Sequence, residues 1–179
     1  MTPPGSGSAA TPPVGDGASP SAVPIASTRE VRFLIQAPPS LNVQKKWRNV
    51  GQVKAFRDAL VYEMVGAIPR ALQPTSHQRL LLATNPVKRV VVFTRFWFVG
   101  KVGEKLVNVK ELDPDNFVGS CKPVLDELKL VTWRRREFGQ MVERPGFGFI
   151  VDDRSQYCQA MYDQQRNPAR AGKLEVRIT

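Results

Sequence analysis

Five aspartates and one lysine stand out by type and spacing. Asp113 and Asp115 lie in an Asp-Pro-Asp-Asn run, Lys122 precedes Asp126 by one helical turn, and Asp152 and Asp153 are adjacent. They belong to a chain of net charge +10. Two carboxylates about 4 Å apart repel by roughly 4 kcal/mol at an effective dielectric near 20. A divalent cation removes that penalty, and a set of hard oxygen ligands suits Mg²⁺. Acidic ligands on a basic protein point to an enzyme that acts on a phosphate backbone. The ion would polarise the phosphate and a bound water, and a lysine would stabilise charge on the phosphoryl or leaving oxygen.

Each residue also has a plainer role. An Asp-x-Asp run often makes a turn, and Asp115 could cap a helix that follows Pro114. The capping and metal roles weigh equally on local sequence, and they can coexist. Asp152-Asp153 could be a turn before a strand. Lys122 and Asp126 could simply pair at i,i+4, which contributes a few tenths of a kcal/mol to a helix and nothing to chemistry.

The elements that must position these residues follow from periodicity. Val31–Gln36 alternates as a strand and stops at Ala37-Pro38-Pro39-Ser40. Val53, Phe56, Leu60, Met64 and Ile68 recur at helical spacing, and Pro69 ends that helix. Residues 70–87 read as a loop. Arg89–Val99 is apolar on both faces, as a central strand requires. Val107 and Val109 extend a paired segment after a turn at Gly100–Gly103. A second helix is predicted over about 116–130. At 100° per residue, Asp115, Lys122 and Asp126 fall within about 40° of one another, while Phe117, Cys121, Val124 and Leu128 share the opposite face. Pro123 inside this stretch predicts either a kink or a later start near 120. Residues 131–149 form an insertion-like stretch, in which Arg134, Arg135, Arg136 and Arg144 mix with Trp133, Phe138, Phe147 and Phe149. Residues 155–164 and 173–179 read as closing strands.

The ordered set of motifs resembles the RusA family of Holliday junction resolvases. Ala37-Pro38-Pro39-Ser40-Leu41-Asn42 is similar to that family's early Pro-Pro-Ser-x-Asn segment. Asp113-Pro114-Asp115-Asn116 is similar to its Asp-x-Asp-Asn signature. Lys122-Pro123-Val124-Leu125-Asp126 is similar to its Lys-x-x-x-Asp helix, and Asp152-Asp153 to its final Asp-Asp. A short closing strand like Lys173–Thr179 also ends such chains. The likeness spans about 30–179. Two departures are visible: the stretch from Asp126 to Asp153 is longer than in compact members, and Asp115 to Lys122 is a stretched interval.

The resemblance implies an α+β fold, a single domain with a mixed β-sheet and two main helices packed on it. It also implies a homodimer and Mg²⁺-dependent cleavage of four-way DNA junctions in recombination and repair, with Mn²⁺ as a substitute ion. Carried over, Asp113, Asp115 and Asp153 are the metal-binding acids, with Asp152 as an additional candidate ligand. Lys122 is the essential lysine, and Asn116 and Asp126 support the site. Lys45, Lys46, Trp47 and Arg48, with Arg134, Arg135 and Arg136, are candidates for DNA contact, a solvated basic surface being the alternative. Two rival readings of the same residues are a flap or branched-DNA nuclease and a non-catalytic junction-binding protein.

Bulk properties agree. The chain has 179 residues, 42% of them apolar, enough for one domain with a real core. All 26 basic residues lie beyond residue 28, with all but one of the 16 acids. Residues 1–28 are rich in Pro, Gly, Ser and Ala and read as a disordered tail ahead of a domain at 29–179. Cys121 and Cys158 form no CxxC, which fits a reduced compartment. His77, the only histidine, excludes multi-histidine zinc chemistry within one chain and reads as a loop residue. No membrane span or secretory signal is evident, so the expected setting is cytoplasmic, in a bacterial cell or phage-infected host.

Overall fold

A computed structural model describes residues 30–46, 50–137 and 140–179. The segment read as a disordered tail, and Trp47, Arg48 and Phe138, lie outside the described residues. Within them the chain forms β1 (Val31–Gln36), α1 (Leu41–Gln44), α2 (Val50–Ala67), a 3-10 turn (Arg70–Leu72) and α3 (Ser76–Thr84). There follow β2 (Arg89–Val102), β3 (Lys105–Val109), α4 (Pro114–Leu128), β4 (Val131–Glu137), β5 (Gln140–Pro145), β6 (Cys158–Arg166) and β7 (Lys173–Ile178). The fold is α+β with a mixed sheet, the class that the resemblance implies.

The central position of β2 follows from its sequence. It pairs antiparallel with β7 over 91–95, parallel with β6 over 89–97, and antiparallel with β3 through a hairpin at its far end. β1 adds outside β7, antiparallel. A strand with neighbours on both edges and helices on its inner face must be apolar there, and Val91 and Phe93 are fully buried. Strict alternation in β1 turns Val31, Phe33 and Ile35 inward, and β7 adds Leu174, Val176 and Ile178. Leu60, Met64 and Ile68 from the α2 side and Phe117, Cys121, Val124, Leu125 and Leu128 from α4 complete one core. Each fully buried large side chain of this kind contributes roughly 1.5–3 kcal/mol.

Two expectations change. Residues 70–87 are largely helical. Thr75 accepts from the Gln78 amide at 3.2 Å, Gln78 Oε1 accepts from the Thr75 amide at 2.9 Å, and this capping box starts α3. His77 therefore sits in the first turn of a helix, exposed, and not in a loop. The second change concerns α4, which begins at Pro114 and not at 116. Its N-cap is Asp113, whose Oδ1 accepts from the Asn116 amide at 3.0 Å, so Asp115 is not the cap. Pro114 takes the first helical position, where its missing N–H costs nothing. The helix continues through Pro123 to Leu128.

Residues 131–145 form a two-stranded antiparallel hairpin separate from the main sheet. Among the described residues, no helix is long and apolar enough to cross a membrane.

Candidate functional site

The chemistry-bearing residues gather along the exposed side of α4. Its other side is locked into the core, so Lys122 and Asp126 are turned outward on successive turns. Lys122 Nζ donates to Asp126 Oδ1 at 2.8 Å and also to Asp153 Oδ2. Lys129, the residue that ends the helix, places its Nζ 2.8 Å from Asp126 Oδ1 and 3.6 Å from Asp153 Oδ1. Two lysines and two aspartates thus alternate in a closed ring.

Asp153 reaches this ring because of what precedes it. A helix leaves its last carbonyls without intrahelical partners. Here residues 146–150 run across the end of α4 and supply the missing donors. Phe147 N–H donates to Glu127 O at 2.7 Å, Phe149 N–H to Leu128 O at 2.9 Å and Gly148 N–H to Lys129 O at 3.1 Å. Only glycine permits this approach at 146, since a Cβ there would lie 2.2 Å from Lys129 O and 2.6 Å from Glu127 O. The strap therefore delivers Val151-Asp152-Asp153 to the last turns of α4. Beneath it Glu127 is buried against Arg144, with Nη1 to Oε1 at 3.4 Å. Burial pushes the Glu127 carboxyl above its ordinary range, opposed by the nearby Arg144 charge.

The N-terminal end of α4 is held by different contacts. Asn116 Nδ2 donates to Asp113 Oδ2, and Asn116 Oδ1 accepts from the Asn42 amide at 3.2 Å. Asn116 therefore serves the Asp113 cap and the backbone of the Pro-Pro-Ser-x-Asn turn. Gly119 lets Leu41 pack directly on α4, because a Cβ at 119 would lie 2.6 Å from the Leu41 side chain. The segment leading into Asp113 is fastened from the sheet. Gln164 of β6 donates to Leu112 O at 2.7 Å and accepts from Leu112 N at 3.0 Å, as a neighbouring strand would. Arg95 of β2, buried, donates to Lys110 O at 2.8 Å. Asp115 is exposed in the first turn of the helix.

Electrostatics differ between the two ends. Burial works against the charged form of Lys122, but the hydrogen bonds and charges of Asp126 and Asp153 outweigh it and raise its pKa. Burial likewise pushes Asp153 upward. Its hydrogen bonds with Lys122 and Asp152 and the charges of Lys122 and Lys129 win, holding it far below the usual carboxylate range. Asp113 is lowered by hydrogen bonding from Asn116, backbone first and side chain second. Neither thiol competes as a nucleophile: both cysteines are buried and free, and burial pushes Cys121 up to about 12.

The structure thus brings Lys122, Asp126 and Asp153 together and leaves Asp113 and Asp115 at the other end of the helix. Asp115 and Lys122 are seven positions apart on α4, about 10 Å of rise. Among the described residues, no three Asp, Glu, His or Cys side chains form a group able to hold a metal ion. The donor chemistry of Asp113, Asp115 and Asp153 suits Mg²⁺, but their placement does not form one coordination set. Asp113 is engaged by Asn116 and Asp153 by the two lysines. Asp152 is turned to Arg154, whose Nε lies 3.0 Å from Oδ2.

Of the residues read as DNA contacts, Lys45 and Lys46 are exposed just beyond α1. The backbone of Arg134, Arg135 and Arg136 lies in β4, opposite Glu143, Val142 and Met141. The sequence reading missed Lys129, although its i,i+3 spacing from Asp126 was a usable signal. It also missed Arg79, whose partner, the Gly146 carbonyl, is 67 residues away. Comparison of the chain with family models, curated proteins and solved structures gives no match.

Proposed function

We propose that the chain is a structure-selective DNA endonuclease that resolves four-way junctions as a homodimer, with Mg²⁺ as its cofactor and Mn²⁺ as a substitute. The observation that carries this reading is the contact of Lys122 with Asp126 and with Asp153, which lies 31 residues further along the chain. Separate short motifs of a resolvase-like pattern are thereby neighbours on one exposed helix face. The net charge of +10 supplies the attraction to a phosphate backbone.

In this reading Lys122 acts as a fixed cation. Its raised pKa keeps it protonated at neutral pH, so it stabilises charge on a phosphoryl or leaving oxygen and does not accept a proton. Asp126 and Lys129 hold Lys122 and Asp153 in place. Asp113, Asp115 and Asp153 are the proposed ligands of the ion. Joining them around one cation would require Asp153 to leave both Lys122 and Lys129 and to approach the N-terminal end of α4. Two symmetric nicks need two identical sites, which a two-fold dimer provides.

The absence of a three-acid group among the described residues favours a second reading, a junction-binding protein without catalysis. Asp115→Asn separates the two. The nuclease reading predicts loss of cleavage with junction binding retained, and cleavage near the wild-type rate contradicts it. Lys122→Ala is expected to slow cleavage by about 100-fold or more while binding changes little. Equal losses in both would reduce Lys122 to a phosphate contact.

A further inference from the structure

A cleft of about 770 Å³ opens between α3, the β4–β5 hairpin and residues 151–154, next to the lysine–aspartate ring. This falls within the usual range for small-ligand sites, roughly 300–1,000 Å³. Trp133 lines it from β4 with 36% of its surface exposed, and Arg79 and Arg154 bring two cations to the same walls, while Lys129 lines it with its ammonium held by Asp126 and Asp153. We propose that this cleft holds one unpaired nucleotide of the DNA, its base against the Trp133 ring and its phosphate toward Arg79 and Arg154. The proposal rests on the nuclease reading only in taking DNA as the partner.

The geometry favours a nucleotide in three ways. An aromatic face beside cations is the arrangement that binds single strands, because every base has a π-face and every nucleotide a phosphate. A base inside a duplex keeps both faces stacked, so only an unstacked base can lie on Trp133. The second observation is that Arg79 is held in place before any ligand arrives. Its Nη2 donates to Gly146 O at 2.6 Å, and Gly148, at φ +80°, passes so close that a Cβ there would lie 2.8 Å from Arg79 Nε. A guanidinium fixed in this way loses little freedom on binding. Third, the wall continues into Asp152, directly before Asp153 of the ring. A nucleotide in the cleft therefore anchors its strand beside the Lys122–Asp153 pair. Glu143 and Asp152 also line the cleft. Asp152 already accepts from Arg154 at 3.0 Å.

The test uses the full chain and two labelled probes, a short oligothymidylate and a blunt duplex of equal length. Binding is read by fluorescence anisotropy for wild type, Trp133→Ala and Trp133→Phe. Loss of one base stack is expected to weaken single-strand binding roughly 10-fold in Trp133→Ala. Duplex binding should stay unchanged, and Trp133→Phe should retain most of the affinity. A 5-iododeoxyuridine in the oligothymidylate is expected to photo-crosslink to Trp133, a result that needs no variant to fold. Equal weakening on both probes, no change on either, or a crosslink mapped away from the cleft overturns the proposal. Absence of binding to any DNA would overturn the nuclease reading as well, whereas binding to junctions without involvement of Trp133 would overturn this inference alone.

Discussion

Lys122 and Asp153 carry opposite charges that stabilise each other, and the effect has a definite pH signature. Asp153 ionises far below an ordinary aspartate, whose unfolded value is about 3.9. For an acid with a depressed folded pKa, the stabilisation is present above the unfolded pKa and is lost as pH falls through the folded one. Asp153→Asn should therefore lower stability at neutral pH. The loss should be about 1 kcal/mol, because half of the Lys122 side chain is exposed and solvent screens the pair. The gap between wild type and variant should hold down to about pH 5 and close only below about pH 4, as read from urea midpoints. A gap that closes near neutral pH would contradict this assignment of the charges. At this scale the sequence was partly legible. The phase of Lys122 and Asp126 follows from helical spacing, and their contact is seen. Asp153 could be joined to them only through the family-like order of motifs, because the strap that delivers it has no periodicity. The cap moved from Asp115 to Asp113 because Pro114 fits the first helical position, which assigns the residue before it to the cap.

At the scale of elements, α4 is the organising piece, and it is held at both ends by segments distant in sequence. Residues 146–150 close its C-terminus, while Gln164 and Arg95 fix the approach to its N-terminus. Gly146→Ala drives a Cβ into two backbone carbonyls that cannot move without unwinding the helix end. We expect a stability loss of about 3 kcal/mol in urea denaturation, with Asp153 displaced and cleavage lost with it. A variant as stable as wild type would show that the strap does not depend on this close approach. The strands were legible because β1 and β7 alternate and β2 is apolar on both faces. The helix α3 was not, since its apolar residues cluster at Leu80–Leu82 without helical repeat and only the Thr75–Gln78 capping box marks it. The strap was hidden for a different reason: its partners are the terminal carbonyls of another element, and backbone acceptors carry no side-chain signature.

At the scale of the molecule, the cleft joins the ring to the hairpin, since Lys129 of the ring and Trp133 of β4 both line it. The charge balance needed no structure to read. The arrangement of the cleft did, because it depends on α3 and on the pinning of Arg79 by glycines far along the chain. Cutting of a labelled mobile four-way junction tests DNA cleavage by this protein most directly. The reaction should be run with Mg²⁺ and with EDTA, beside a linear duplex and a flap of equal length. The account predicts paired symmetric nicks on the junction, dependent on Mg²⁺ and scarce on the other two substrates. Tight binding of the junction with no cutting in either condition would contradict it.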